Sequence, residues 1–329
     1  MDLPAQPGAR AARDFDDHAI SRRDALQRAA AVVAALAIPA PLVAASRSPA
    51  LRSSALRSPD PDHERLRAWT AAVRTEGRRT MGDACGPDAI RVGEMAAGSP
   101  YVPGTLDAYL EAGGSPNATE PLTLSLTRFD CVTLVESCLA VARVAEHSDA
   151  ATWAGFGREV ERMRYRGGER RGYVSRLHYF SEWISDGARR GLVRDWGAEL
   201  GGMEDARPLR FMTAHRASYP ALANDVVLRK LEAIERRLDA NPRHVVPAAR
   251  VAQVVDRIEN GDVLAFATST PGLDVTHSAF AHRGGDGVLR VLHAPLSGGV
   301  VEVTRATLPE YVAAIRRCTG ILVARPLRA

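Results

Sequence analysis

The stretch Asn-Gly-Asp-Val-Leu-Ala-Phe-Ala, residues 260–267, marks the point where the chain changes from a helical pattern to a strand pattern. Before it, apolar residues recur at helical spacing, and after it come short β-rich runs separated by turn signals. The predicted helices span residues 63–79, 86–97, 105–112, 130–147, 152–165, 176–190, 222–239 and 247–259. The predicted strands span residues 263–267, 277–281, 288–293, 300–303 and 321–324. A helical first part followed by an antiparallel sheet predicts an α+β domain.

The composition of the 329-residue chain is that of a soluble folded protein. Hydrophobic residues make up 46% and charged residues 25% of the chain, as in globular proteins. The 43 Lys and Arg exceed the 39 Asp and Glu by four, a surplus too small to indicate a nucleic-acid partner. The nearest match to a zincin helix, residues 63–67, lacks its second histidine. We therefore expect no metal, no other cofactor and no nucleic acid.

The first 45 residues have the order of an export signal. An arginine pair at 22–23 precedes an uncharged run at 29–46 that contains small residues at 43–45. This order predicts a bacterial export signal, either twin-arginine-like or Sec-type, and hence a periplasmic or secreted protein. A retained membrane anchor stays open as an alternative, although two prolines interrupt the run.

The remaining chain divides into a short tether and one domain. Residues 46–62 are rich in Ser, Pro and Arg and predict a flexible tether. Residues 63–329 contain neither a repeat nor a long linker, which favours a single catalytic domain. Export to an oxidising compartment leaves open one disulfide among Cys85, Cys138 and Cys318.

Cys131 is the first candidate for chemistry. Asp130 is a good N-cap residue, so the helix predicted at 130–147 would carry Cys131 in its first turn. The partial positive charge of a helix N-terminus favours the thiolate, which is the nucleophilic form of cysteine. Leu134, Val135 and Cys138 recur at helical spacing on the same segment, so Cys131 could instead be the first residue of a buried stripe.

His277 and His293 are candidates for its partners. His277 opens one apolar strand and His293 ends the next, with a turn signal at Asp286-Gly287 between them. The two imidazoles would therefore lie at the same end of adjacent strands. One imidazole could accept the thiol proton while the other orients the first imidazole by a hydrogen bond. This is the arrangement of a triad of nucleophile, base and orienting group. A serine hydrolase is disfavoured because no G-x-S-x-G elbow is present.

Six separated blocks resemble one family. They are RFDCVTLVE at 128–136, RYRGG at 164–168, SRLHY at 175–179, NGDV at 260–263, GLDVTH at 272–277 and LHA at 292–294. In this order they are similar to the N-acetylmuramoyl-L-alanine amidase-like proteins of the NlpC-type cysteine peptidase superfamily, a group once known only as a domain of unknown function. The resemblance implies a papain-like thiol hydrolase fold, with the nucleophile at a helix N-terminus packed on a C-terminal antiparallel sheet.

The resemblance also implies an activity and a set of roles. It implies an amidase that hydrolyses the N-acetylmuramoyl-L-alanine bond of peptidoglycan or its muropeptide fragments, with Cys131 as nucleophile, His277 as base and His293 orienting the base. The residues expected to contact substrate are Asp130, Arg164, Tyr165, Arg176, His178, Tyr179 and Asp274. For Arg164 and Arg166 a solvated helix face is the alternative. Two other functions stay open, an endopeptidase cutting between D-Glu and the third stem residue and a non-catalytic wall-binding protein.

Overall fold

A computed structural model describes residues 60–77, 84–146, 151–295 and 299–328. The predicted export signal and most of the predicted tether lie outside these residues. The end of that tether does not, because residues 61 and 62 already belong to the first helix. Within the described ranges, no helix combines the length and apolar composition that a membrane crossing requires.

Helices dominate the first part of the domain. In chain order the α-helices are α1 Pro61–Gly77, α2 Gly86–Ala96, α3 Ala108–Glu111, α4 Cys131–Glu146, α5 Trp153–Arg164, α6 Phe180–Arg189, α7 Phe211–Ala214, α8 Asp225–Leu238, α9 Val251–Val254 and α10 Leu308–Ala314. Short 3-10 turns lie at Arg166–Gly168, Tyr173–Ser175, Arg216–Ser218, Pro220–Ala223, Ala248–Arg250 and Val255–Arg257. The apolar helix α4 is the centre of this part, since it packs against α1, α2, α5 and the sheet.

The sheet is antiparallel and comes mostly from the last third of the chain. Its strands are β1 Val193–Asp195, β2 Met203–Asp205, β3 Arg243–Pro247, β4 Val263–Thr268, β5 Val275–Arg283, β6 Leu289–His293, β7 Glu302–Val303 and β8 Cys318–Pro326. Their order is β2-β3-β8-β4-β5-β6-β7, and β1 pairs with one end of β8. The predicted α+β class is therefore confirmed.

The stretch 260–267 joins two hydrophobic cores. In β4, Val263 and Ala265 belong to the core shared with the helices, while Leu264 and Phe266 face a second core that α10 covers. Gly261 precedes this strand with a φ of 91°. A Cβ at Gly261 would lie 2.2 Å from the carbonyl of Gly86, at the start of α2. Only glycine permits this close approach between the helical part and the sheet.

Five elements were not predicted, including the single turn α7, and three predicted helices are shorter or broken, among them 105–112, which forms only at Ala108–Glu111. Strands β1 and β2 are too short to show alternation, and β3 is recognised only through its pairing with β2 and β8. The predicted helix at 176–190 begins at Phe180, because Arg176 forms a β-bridge with Tyr165. The predicted helix at 247–259 is a series of single turns. Helix α10 was missed although Thr307 and Glu310 form a capping box, which is a recognisable start signal.

Candidate active site

The start of α4 is held by its predicted cap. Asp130 Oδ1 accepts a hydrogen bond of 2.7 Å from the backbone N–H of Thr133, and Thr133 Oγ1 accepts one of 2.8 Å from the backbone N–H of Asp130. These bonds satisfy donors that a helix start leaves without intrahelical partners. The helix consequently begins at Cys131. The prediction that Cys131 lies in the first turn of this helix is therefore confirmed. The Asp130 side chain, expected to contact substrate, is engaged in this cap.

The two histidines meet through the β5–β6 hairpin. Phe280 pairs with Leu292 in the antiparallel register, which brings the start of β5 beside the end of β6. His277 Nε2 lies 2.8 Å from His293 Nδ1, and the two rings meet edge to face with centroids 5.1 Å apart. The prediction that both imidazoles lie at the same end of adjacent strands is thus confirmed.

Cys131 and His277 face the same cleft, although 145 positions separate them in the sequence. Together with the open solvent at its mouth, the cleft has a volume of about 410 Å³. Its lining residues are Cys131, Val132, Leu177, His178, Phe180, Trp183, Leu273, Asp274, Val275, His277 and Ser278. Apolar side chains form most of this wall, and among the lining residues within the described ranges none is Arg or Lys.

His293 lies behind His277, away from solvent. Its side chain is almost fully buried, and this burial lowers the pKa of His293 to about 4, because a charged imidazolium is poorly solvated there. His293 is therefore neutral at pH 7. The hydroxyl of Tyr311 lies 3.1 Å from His293 Nδ1. Burial raises the pKa of Tyr311, and the neighbouring Cys131 and Glu302 act in the same direction, so this phenol keeps its proton at neutral pH.

Two polar atoms of cleft-lining residues have no hydrogen-bond partner among the described residues. They are Trp183 Nε1 and Ser278 Oγ. The Trp183 ring stacks on Phe180 at a centroid distance of 5.0 Å and an angle of 14°. Buried polar groups normally have partners, but both atoms have almost no exposed surface, so they lie beneath the cleft wall and not on it.

His178 and Asp274 also line the cleft, and both have internal contacts. Asp274 accepts hydrogen bonds of 2.8 Å from the backbone N–H of Ser181 and of 2.7 Å from that of Val275. It thereby connects the start of α6 to the start of β5. His178 Nε2 lies 2.9 Å from the backbone oxygen of Tyr173, and the two rings are in contact.

Arg164, Tyr165 and Arg176 lie in a buried ionic cluster and not in the cleft wall. We define this cluster as Glu120, Glu136, Arg164, Tyr165 and Arg176. Arg164 Nε donates a 2.7 Å hydrogen bond to Glu136, and the two side chains are 3% and 2% exposed. Arg176 and the Tyr165 hydroxyl both donate to Glu120.

The alternative of a solvated helix face holds for neither Arg164 nor Arg166. Arg164 is buried, and Arg166 donates two hydrogen bonds to Glu182. Tyr179 is likewise buried and donates a 2.7 Å hydrogen bond to Glu235. These charged and aromatic side chains cross-link the helical part, because each finds its partner on another segment.

The cysteines differ sharply in their surroundings. None of the four forms a disulfide. Burial raises the pKa of Cys85 to about 11 and raises that of Cys138 further still, so both are inert core residues. Cys131, in contrast, is partly exposed and lines the cleft. Within the part of the chain that the structure describes, no three His, Cys, Asp or Glu side chains gather as a metal site.

Sequence reasoning missed Tyr311 and most of the apolar wall of the cleft. Tyr311 follows the capping box of α10, and that box was the signal that could have located it. Phe180, Trp183 and Leu273 carry no local pattern that separates a cleft wall from a core. Only the packing of α6 beside β5 shows their position.

Comparisons with known proteins agree with this architecture. A crystal structure of an N-acetylmuramoyl-L-alanine amidase from Bacteroides uniformis is 31% identical, with a TM-score of 0.67 over 74% of this chain and 99% of that chain. A Bacteroides fragilis protein provisionally called a xylanase is 33% identical, with a TM-score of 0.64 over 71% of this chain and 99% of that chain.

A more distant structure, from Legionella pneumophila, shares the fold at 18% identity, with a TM-score of 0.57 over 81% of this chain and 96% of that chain. A search of curated proteins found no significant match. The family model described as AmiA-like, N-acetylmuramoyl-L-alanine amidase-like, matches residues 91–321, which include Cys131, both histidines and the whole cleft wall. The chain therefore belongs to the N-acetylmuramoyl-L-alanine amidase-like family.

Proposed function

We propose that the chain is a cysteine amidase that cleaves the amide between the lactyl group of N-acetylmuramic acid and L-alanine, in peptidoglycan or its fragments. One observation carries the proposal. Cys131 at a helix start and His277 backed by His293 open on one cleft. A nucleophile, a base and a group that orients the base are the parts that acyl transfer requires. This is the papain-like arrangement of the NlpC-type superfamily, to which we assign the chain.

In the first half of the reaction, the thiol of Cys131 loses its proton to His277 and the sulfur attacks the lactyl carbonyl. The tetrahedral intermediate carries an oxyanion, to which the backbone N–H of Cys131 at the start of α4 donates. One such donor contributes about 10²- to 10³-fold in rate. Protonated His277 then gives its proton to the L-alanine nitrogen, the C–N bond breaks and the stem peptide leaves.

In the second half, His277 removes a proton from water, and the resulting hydroxide attacks the thioester. The C–S bond breaks, the lactyl carboxylate is released and Cys131 recovers its proton. Assistance by a positioned acid and base of this kind contributes about 10²- to 10⁴-fold. His293 holds the His277 ring through both halves.

The lining of the cleft favours this bond over the one after D-Glu. The acyl group of the lactyl bond is neutral and carries a methyl group, and the L-alanine side adds a second methyl. The γ-D-Glu acyl group instead carries a carboxylate, for which a cationic side chain is the usual partner. The apolar wall without Arg or Lys among the described lining residues fits the two methyl groups better. Of the residues expected to contact substrate, His178 and Asp274 keep that role in the proposal.

The place of action follows from the sequence pattern of residues 1–45. We propose that this segment exports the chain to the periplasm or beyond the cell, where peptidoglycan is found. Expression of the chain with and without residues 1–45, followed by cell fractionation, tests this assignment. Retention of both forms in the cytoplasm would contradict it.

Mass spectrometry of products from one defined disaccharide-tetrapeptide tests the activity. We expect a free stem peptide that begins with L-Ala and a disaccharide without peptide. A disaccharide that still carries L-Ala-D-Glu would instead indicate an endopeptidase. Unchanged substrate together with an unreactive Cys131 would indicate a non-catalytic wall-binding protein. A Cys131→Ser variant is the control for contaminating hydrolases.

A further inference from the structure

His293 has polar neighbours on three sides, each from a different element. His277 on β5 approaches its Nδ1 at 2.8 Å, and the Tyr311 hydroxyl on α10 approaches the same nitrogen at 3.1 Å. The carboxylate of Glu302 on β7 lies 3.8 Å from the other ring nitrogen, Nε2. That nitrogen is buried and has no hydrogen-bond partner among the described residues.

The position of one proton on His293 decides whether His277 can act as a base. A neutral imidazole carries its proton on one nitrogen only. If that proton is on Nδ1 of His293, it is donated to His277 Nε2, and the proton of neutral His277 is then on Nδ1. In that state His277 cannot accept the thiol proton through Nδ1. If the proton is on Nε2 of His293, His277 Nε2–H donates to Nδ1 of His293, and Nδ1 of His277 can accept the proton.

We propose that Tyr311 and Glu302 are positioning residues that hold His293 in the tautomer with its proton on Nε2. This inference rests on the proposed function, and both residues act through His293. The Tyr311 O–H and the His277 Nε2–H both point at Nδ1 of His293 and share its one lone pair, an arrangement that requires this nitrogen to carry no proton. The negative charge of Glu302 favours the proton on the neighbouring Nε2.

The fold holds both residues in place for this role. Glu302 stands directly opposite His293 in the β6–β7 register. Tyr311 is on α10, whose start is held by the capping box of Thr307 and Glu310. Its ring meets the rings of both His293 and Phe266 edge to face, with centroids 5.2 Å apart in each pair.

The ionisable groups around His293 are His277, Tyr311 and Glu302, and Tyr311 additionally interacts with Cys131 and Cys318. Tyr311 is a donor throughout the neutral range, because its pKa is raised by burial. Glu302 is half exposed, so its carboxylate approaches His293 from a position that water still solvates. Both residues therefore act in the same direction on His293 at the pH where the thiol must be deprotonated.

Nitrogen-15 NMR of the full-length labelled protein at pH 7 reads the tautomer of His293 directly. We expect the Nε2–H form in the wild type. Both Tyr311→Phe and Glu302→Gln should increase the Nδ1–H fraction and lower kcat with KM unchanged. The loss should be about five- to tenfold for Tyr311→Phe, the size of one lost hydrogen bond, and smaller for Glu302→Gln, which removes only a charge 3.8 Å away. Both substitutions keep the shape of the side chain, so the fold is retained.

Two matched variants control for general effects. Tyr109→Phe removes another partly buried phenol that donates to a carboxylate, and Glu94→Gln removes a carboxylate beside another histidine, His282. Neither should change the His293 signal or kcat. An Nδ1–H tautomer in the wild type, or test variants that match these controls, would overturn the proposal.

The rate of alkylation of Cys131 by iodoacetamide, measured from pH 5 to 9, separates this inference from the proposed function. This rate reports proton transfer between Cys131 and His277 and needs no muropeptide. In one outcome, Tyr311→Phe and Glu302→Gln slow alkylation near neutral pH and shift the His293 tautomer, but the wild type cleaves no muropeptide. The positioning role then holds and the assigned substrate is wrong. Normal cleavage by the wild type with no effect of either variant on tautomer, alkylation or kcat would overturn only the positioning role.

Discussion

Two sets of polar side chains stand out in the sequence, but one is buried in the fold and the other opens on a cleft. The buried ionic cluster pairs its carboxylates with Arg164, Arg176 and Tyr165 inside the helical part. The site of Cys131, His277 and His293 opens on a cleft with a mostly apolar wall. Residue type alone does not distinguish the two groups. The difference is that an internal carboxylate meets each cation of the cluster, whereas the cleft leaves room for a substrate.

The largest expected effect separates Cys131 from the other thiols. Cys131→Ser should lower kcat on the muropeptide by about 10³-fold or more, because a hydroxyl is a far weaker nucleophile than a thiolate. The melting temperature should not change, since the side chain is partly exposed. Cys318→Ser is the matched control, because Cys318 is also partly buried and donates only to the backbone oxygen of Gly320. Equal activity of the two variants would refute the assignment of the nucleophile.

The second prediction tests the buried ionic cluster. Arg164→Met should lower the free energy of unfolding by about 3 to 5 kcal/mol, because it leaves the Glu136 carboxylate buried without its partner. Kinetic parameters of the folded variant should match the wild type, which steady-state assays below its melting temperature would measure. A raised KM without loss of stability would show that Arg164 contacts substrate after all.

The third and smallest effect concerns His293 and pH. Its folded-state pKa, about 4, is below the ordinary value of about 6.5, so the unfolded chain binds the proton more readily. The stability associated with His293 is complete above pH 6.5 and is lost as the pH falls towards 4. From pH 7 to 4.5 the wild type should lose about 2 to 3 kcal/mol more than His293→Gln.

Urea unfolding at the two pH values measures this difference. His282→Gln is the comparison variant, because His282 pairs with Glu94 and is not among the residues that line the cleft. The same pH dependence for the wild type and His293→Gln would mean that folding does not lower the pKa of His293.

Several features could be predicted because short-range physics determines them. The helix start at Cys131 follows from the Asp130 cap, and the approach of His277 to His293 follows from strand alternation and one turn. The change of pattern at residues 260–267 was enough to predict the α+β class. Helix α10 carried an equally local signal in its capping box, so Tyr311 could have been located in the same way.

Other features were decided only by tertiary structure. Arg164 and Cys131 both look reactive in the sequence, but the first is buried against Glu136 and the second lines the cleft. Whether a polar side chain is paired depends on partners that are distant along the chain, and no local pattern encodes their distance. The placement of Cys131 and His277 on one cleft depends in the same way on how α4 packs on β5. The sequence by itself determined which segments become helices and strands around the site, whereas long-range packing decided which reactive side chains remain open to a substrate.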